Sequence, residues 1–286
     1  MLSGYLFQSE PIKSDKPKRR IFQECIFDLH YLSVLPHFLF IDHGNTAIKG
    51  MVTAETFEPV FEFTENTAGL SSLAPSLKTR FSIQGGFYSS VGNLTDELRN
   101  GWENDFGLTA FSPLLPSPLE SDYLTPETLG PDRFAAAVGA HALFPGQNNL
   151  IVDLGTCLKI DFVEKGGVFQ GGAISPGVNM RYQALHTFTA KLPLMGIPDQ
   201  FPDFTGGRTT PESLHAGVLL GILAEVEGII RRYEDKMGQI NVLLTGGDAS
   251  FFEGRLKNAI FVAQNLVLIG LAETKKHHAK KLPNIL

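Results

Sequence analysis

Phe38-Leu39-Phe40-Ile41-Asp42-His43-Gly44-Asn45-Thr46 and Asn149-Leu150-Ile151-Val152-Asp153-Leu154-Gly155-Thr156 decide how this chain is read. In each, an apolar run of strand length ends in Asp-x-Gly with a threonine close behind. A strand delivers its last carboxylate to the C-terminal edge of a sheet, where it can hold a water or a magnesium ion. The glycine lets phosphate oxygens approach backbone N–H groups, and the threonine adds a hydroxyl donor. One Asp-x-Gly also marks an ordinary hairpin turn. Two of them, 111 positions apart and each followed by a further strand, point to duplicated halves sharing a phosphate clamp. A third glycine turn, Thr245-Gly246-Gly247-Asp248-Ala249, follows the strand Val242-Leu243-Leu244 and can lay flat backbone against a nucleotide.

Outward from these turns, Ala47–Thr53 and Phe57–Phe63 continue the first strand as a meander of three. Thr95–Phe106 reads as a helix with Thr95 as N-cap. Four prolines make 112–130 an irregular connector, the best domain boundary in the chain. Pro131–Leu143 is helical, Leu158–Val163 is a strand, and Val168–Gln170 precedes a glycine turn at Gly171-Gly172. Helices are expected at Pro176–Ala190, Pro211–Met237 and Asn265–His277, the last followed by a solvated basic end at Lys275–Lys281. Residues 1–37 carry a basic cluster and little periodicity. They read as an extension outside the fold, leaving halves at 38–128 and 129–286.

Composition narrows the classes. With 286 residues, 43% hydrophobic and 19% charged, the chain has ample material for one large core or two smaller ones. A net charge of −6 argues against nucleic acid or an anionic membrane as the main partner. Two cysteines, Cys25 and Cys157, make no disulfide framework and no zinc motif, so a cytoplasmic setting is expected. The apolar stretch Ile21–Ile41 is too interrupted by polar residues for a membrane span or a signal peptide. Neither a Gly-x-x-x-x-Gly-Lys-Ser/Thr loop nor a Gly-x-Gly-x-x-Gly after the first strand is present.

The two turns and the third glycine turn resemble those of the acetate kinase, sugar kinase and actin superfamily. That resemblance implies an α/β fold of two ribonuclease H-like (actin-like ATPase) domains with a nucleotide cleft between them. Leu129-Gly130-Pro131-Asp132-Arg133 and Gly171-Gly172-Ala173-Ile174-Ser175-Pro176-Gly177, taken with Asp42–Lys49 and Asp153–Thr156, sharpen it. Over roughly residues 38–273 the chain resembles type III pantothenate kinase. This implies ATP-dependent phosphorylation of pantothenate to 4'-phosphopantothenate, at the start of coenzyme A biosynthesis.

By that resemblance Asp132 matches the general base, with Gly130 and Arg133 beside it on pantothenate. Asp42, Gly44, Asn45, Thr46 and Lys49 match the first phosphate motif, and Gly155 and Thr156 the second. Asp153 matches a ligand of a monovalent cation, K+ or NH4+, and Asp42 is a candidate for magnesium. Thr210, or Thr209 one register away, matches a threonine that reaches pantothenate across a homodimer interface. Tyr123 either lines the substrate pocket or caps the core.

The physics of phosphoryl transfer agrees, since it asks mainly for positioning and charge neutralisation. An aspartate at a helix start can take the hydroxyl proton, and an adjacent arginine can pair with the substrate carboxylate. The same aspartate also stabilises a helix dipole with no chemistry at all. Two positions depart from the family pattern: Lys159 stands where a threonine is usual, and His43 where an apolar residue is usual. His43 reads as an edge filler and Cys157 as a small buried residue. The alternative to an active kinase is a relative that kept the clamp as an accessory or regulatory binding protein.

Overall fold

The computed structural model describes residues 35–203, 206–256 and 260–281; the expectations for residues 1–34 lie outside them. The first half is built from β1 (Pro36–His43), β2 (Ile48–Ala54), β3 (Pro59–Glu65), helix α1 (Thr67–Arg80), β4 (Ser82–Ser90), α2 (Asp96–Asn100, continued by a π-helical turn to Asp105) and β5 (Leu108–Ala110). Its strands lie in the order β3-β2-β1-β4-β5, with the meander antiparallel and β4 and β5 parallel to β1. After the short β6 (Glu120–Ser121) come α3 (Pro131–Leu143), β7 (Asn149–Leu154), β8 (Cys157–Glu164), β9 (Val168–Pro176) and α4 (Val178–Thr187). Then follow α5 (Thr210–Met237), β10 (Asn241–Thr245), α6 (Ala249–Phe252), β11 (Ile260–Val262) and α7 (Leu266–Lys281). The second sheet runs β11-β10-β7-β8-β9-β6, so β7 to β11 repeat the order and direction of β1 to β5.

Strand alternation sorts the side chains into layers. Phe38 and Phe40 of β1 and Ile151 of β7 pack on α3 and α7 between the sheets. Leu39 and Ile41 face α1 and α2 on one outer side, while Leu150 and Val152 face α4 and α5 on the other. By the same alternation Asp42 and Asp153 both point into the central layer. That layer is tight: a Cβ on Gly270 of α7 would sit 1.8 Å from the Ala135 carbonyl oxygen of α3. Helix α5 is long and apolar enough to cross a membrane by length and composition, but here its Leu214, Val218, Ile222 and Val226 pack against the second sheet.

Several expectations change. The helix α1 and the strand β4 were not foreseen, because Ser, Thr, Gly and Pro75 blur both periods. Gly171-Gly172 is not a turn but the middle of β9, where a Cβ on Gly172 would lie 1.7 Å from the Ile160 carbonyl oxygen. The strand β1 starts at Pro36 rather than Phe38, since His37 pairs with Ala54. Helix α7 runs to Lys281, and its basic end is not merely solvated. Lys275 lies 5.4 Å from the centre of the Phe38 ring, and His278 Nε2 donates to the Pro116 carbonyl at 2.6 Å.

Candidate active site

The two Asp-x-Gly turns face each other. Thr46 Oγ1 and Thr156 Oγ1, one from each half, are 3.3 Å apart. Each turn is closed on itself, the Gly44 N–H donating to Ala47 O at 3.1 Å and the Gly155 N–H to Cys157 O at 3.2 Å. Asn45 and both threonines remain exposed, and Cys157 is half-buried rather than buried. The third turn seats against the second. Gly246 has φ +94°, and a Cβ there would lie 2.4 Å from Leu154 O and 2.5 Å from Asp153 Oδ1, so only glycine allows this approach. The Asp248 N–H donates to Leu154 O at 2.9 Å, locking the two turns together.

Asp42, Lys49, Asp153, Thr245, Gly246 and Gln264 line a cavity of about 40 Å³ near the start of α7. Lys49 Nζ donates to the Gln264 carbonyl there at 3.2 Å. Burial, then the charges of Asp132 and Asp153, push the Asp42 carboxyl from its ordinary 3.8 to about 7, against the pull of Lys49 and Lys159. Three carboxylates converging on one partly dry place make a site that calls for positive charge.

At the start of α3, Gly130 is the N-cap and Pro131 the first helical residue. The Asp132 carboxylate folds back over the helix end: Oδ1 accepts the Arg133 N–H at 2.9 Å, and a Cβ on Gly130 would lie 2.7 Å from that oxygen. Its other oxygen, Oδ2, takes the Lys159 ammonium at 2.6 Å, and the same ammonium lies 2.7 Å from Asp153 Oδ2. Burial lowers the Lys159 pKa, but Asp153 and Asp132 more than reverse this and hold it above its ordinary value.

Arg133 is held by a residue that sequence reasoning passed over. Its Nε reaches both oxygens of Asp161, at 3.0 and 3.2 Å, and Nη2 reaches Oδ1 at 2.5 Å. A further side-chain hydrogen bond links the guanidinium to Tyr123. The guanidinium lies 5.6 Å from the centre of the Tyr123 ring, which also packs on Phe169 and against Gly171. The signal for Asp161 was present: an acid two positions from Lys159, inside the apolar run Leu158–Val163, needs a buried partner.

Thr210 is exposed at the first residue of α5, and no hydrogen bond links it to Asp132 or Arg133. Thr209 closes a capping box, accepting the Glu212 N–H at 3.3 Å while Glu212 accepts the Thr209 N–H at 3.2 Å. A hydroxyl already capping a helix is less available to a ligand, which favours Thr210 of the pair. His43 fills the edge as expected, with Nδ1 2.9 Å from Ser90 Oγ and its ring edge-on to Trp102.

Comparison with known proteins adds to this geometry. The family model described as type III pantothenate kinase matches residues 38–232. A type III pantothenate kinase of Cytophaga hutchinsonii is 57% identical over 154 residues, spanning 54% of this chain and 65% of that protein. One from Flavobacterium psychrophilum is 40% identical over 233 residues, spanning 82% of this chain and 96% of that protein. Among solved structures, the activator of the 2-hydroxyisocaproyl-CoA dehydratase from Clostridium difficile with bound ADPNP shares the fold. It matches at TM-score 0.51 and 14% identity, over 87% of this chain and 98% of that one.

Proposed function

The chain belongs to the type III pantothenate kinase family, and from that premise we propose how its residues divide the reaction. The protein is a kinase that phosphorylates pantothenate with ATP in coenzyme A biosynthesis. The accessory-protein alternative is not favoured.

Halves 38–128 and 129–286 close on ATP, with the turn at Gly44, Asn45 and Thr46 and the turn at Gly155 and Thr156 gripping its phosphates. Lys49 adds positive charge from the first half, and the Gly246 turn takes the adenosine. Asp132 accepts the proton of the pantothenate hydroxyl as that oxygen bonds to the γ-phosphorus. The bond from the γ-phosphorus to the β–γ bridging oxygen breaks, and ADP leaves with the electron pair. Asp161 and Tyr123 fix the plane of Arg133 so that its guanidinium meets the pantothenate carboxylate. Thr210 contributes from the partner of a homodimer, a state that sedimentation tests directly. The partners are then small molecules, in the cytoplasm, with neither nucleic acid nor membrane engaged.

Kinases of this family use a divalent metal. Asp42 suits magnesium, because its carboxyl is raised by burial and then by two neighbouring carboxylates, whose repulsion a dication would relieve. When bound, the metal neutralises phosphate charge. The monovalent ion implied at Asp153 meets a different situation. That carboxylate already holds the Lys159 ammonium at 2.7 Å, and a second positive charge beside it is repelled, so these residues do not fit a free monovalent ion.

One observation carries the assignment: threonines of the two phosphate turns meet at 3.3 Å in the cleft where Asp132 and Asp153 share one ammonium. An ATP-dependent phosphorylation assay across pantothenate, acetate, glycerol and hexoses tests it. Turnover with pantothenate alone is expected; preference for another acceptor defeats the assignment.

A further inference from the structure

The duplicated halves place a lysine directly across the ladder from each aspartate. In β1 and β2, Asp42 faces Lys49; in β7 and β8, Asp153 faces Lys159. The two lysines are equivalent in the fold but are used differently. Lys49 Nζ goes to a backbone carbonyl, that of Gln264. Lys159 instead reaches from the second phosphate turn to the start of α3 and bonds both Asp153 and Asp132. Its side chain is 18% exposed, and those of Asp153 and Asp132 are 19% and 10%. The other cation near Asp132, Arg133, is committed to Asp161. Lys159 is therefore the only side-chain cation bonded to either carboxylate among the described residues.

An ammonium has three N–H groups in tetrahedral array. Two are taken by carboxylates, and the third has no partner among the described residues. A hydroxyl-bearing substrate approaching Asp132, and a phosphate gripped by Thr156, would both lie within reach of the group that bridges Asp132 and Asp153.

We propose that Lys159 is a built-in cation of the transfer step: its ammonium bridges Asp132 and Asp153 and gives its third N–H to the transferring phosphoryl group, so that turnover needs no free monovalent ion. A free potassium or ammonium ion brings one positive charge to such a place. A lysine brings the same charge, tethered, at no cost of capturing an ion from solution. This rests on the kinase assignment above, and the measurements separate the two.

The wild-type enzyme is assayed with magnesium and ATP in potassium, ammonium and tetramethylammonium buffers. Thallium(I), a potassium surrogate visible by NMR, is titrated into the same protein bound to magnesium and a non-hydrolysable ATP analogue. Turnover equal within about twofold in all three buffers, and no saturable thallium binding, are expected. Lys159→Ala and Lys159→Thr should lose about 10²–10³-fold in kcat, as for loss of one preorganised donor. They should gain saturable thallium binding, and ammonium but not tetramethylammonium should restore activity at least tenfold. Stimulation of the wild type tenfold or more by potassium, or saturable thallium binding to it, overturns the proposal. So do folded variants that neither bind thallium nor respond to ammonium. If the variants do not fold, the two wild-type measurements decide alone. Failure to phosphorylate pantothenate in any buffer would instead remove the kinase assignment, while the thallium titration, which needs no turnover, still judges Lys159.

Discussion

Replacing Asp161 with Asn isolates what holds Arg133. The pair is almost dry, with side chains 6% and 5% exposed, and it is joined by contacts from Nε and Nη2 to both carboxylate oxygens. Burial alone would lower the Arg133 pKa, but the bond and charge of Asp161 hold it above its ordinary value; a guanidinium keeps its charge at neutral pH even without that partner. Removing one member of a buried ion pair typically costs 3–5 kcal/mol, because the other charge is left unpaired. Asparagine keeps one acceptor oxygen, so about 3 kcal/mol is expected here. For a chain of this size that lowers Tm by roughly 5 °C. Freed from its anchor, Arg133 should also lose its aim at the pantothenate carboxylate, raising KM for pantothenate about tenfold or more with KM for ATP little changed. Urea and thermal melts, with initial rates on the same preparation, give these numbers. The double variant Asp161→Leu with Arg133→Met, which removes both charges, should recover most of the stability but none of the pantothenate affinity. If Asp161→Asn melts within about 2 °C of wild type and binds pantothenate normally, the anchoring argument is wrong.

Asp132→Asn should lower kcat by ~10²–10⁴-fold with ADP affinity, read by calorimetry, nearly unchanged; a kcat within threefold of wild type would exclude it as the base. Asp42, with a folded pKa of about 7 above its ordinary 3.8, contributes stability in its protonated form. That contribution is complete below the ordinary value and lost as pH rises through about 7, up to about 4 kcal/mol. Metal-free Asp42→Asn should therefore gain on wild type between pH 5 and 8 in urea melts, and a constant difference would refute this. Gly270→Ala presses a Cβ onto the Ala135 carbonyl at 1.8 Å and should cost about 1–3 kcal/mol in a thermal melt, where no change would show that α3 and α7 can part freely.

What could be read from the sequence was whatever announces itself locally. Phe38–Ile41 and Asn149–Val152 are apolar runs stopped by a carboxylate, and their C-terminal edges did come together, with Thr46 against Thr156. The helix Pro131–Leu143 ran to its expected bounds because proline starts it and small apolar residues fill it. Asp161 and the role of Lys159 were harder, since each depends on pairing register. Asp153 opposes Lys159 only because β7 and β8 turn tightly at Gly155-Thr156. A tight turn between two strands does fix such a register, so the pair was within reach of pattern reasoning. Gly171-Gly172 misled for the opposite reason: its glycines answer to the Ile160 backbone pressing from the neighbouring strand, which no local pattern reveals.

Duplication explains why the site has its present charge pattern. Copying one half of the fold onto the other brings two aspartates and, at matched register, two lysines to the same central layer. Four such groups with perfect symmetry would form two closed pairs and leave nothing for a ligand. The chain breaks the symmetry through the helices it packs between the sheets. The start of α7 offers Lys49 a carbonyl, drawing it away from a closed pair with Asp42, and the start of α3 adds Asp132 as a third carboxylate. Lys159 must then serve two acids, and Asp42 is left raised towards neutrality with no ion pair among the described residues. The imbalance is what makes the cleft receptive. On the proposed assignment, a magnesium nucleotide would bring both a dication for Asp42 and phosphate oxygens for the remaining N–H of Lys159 and the two threonines.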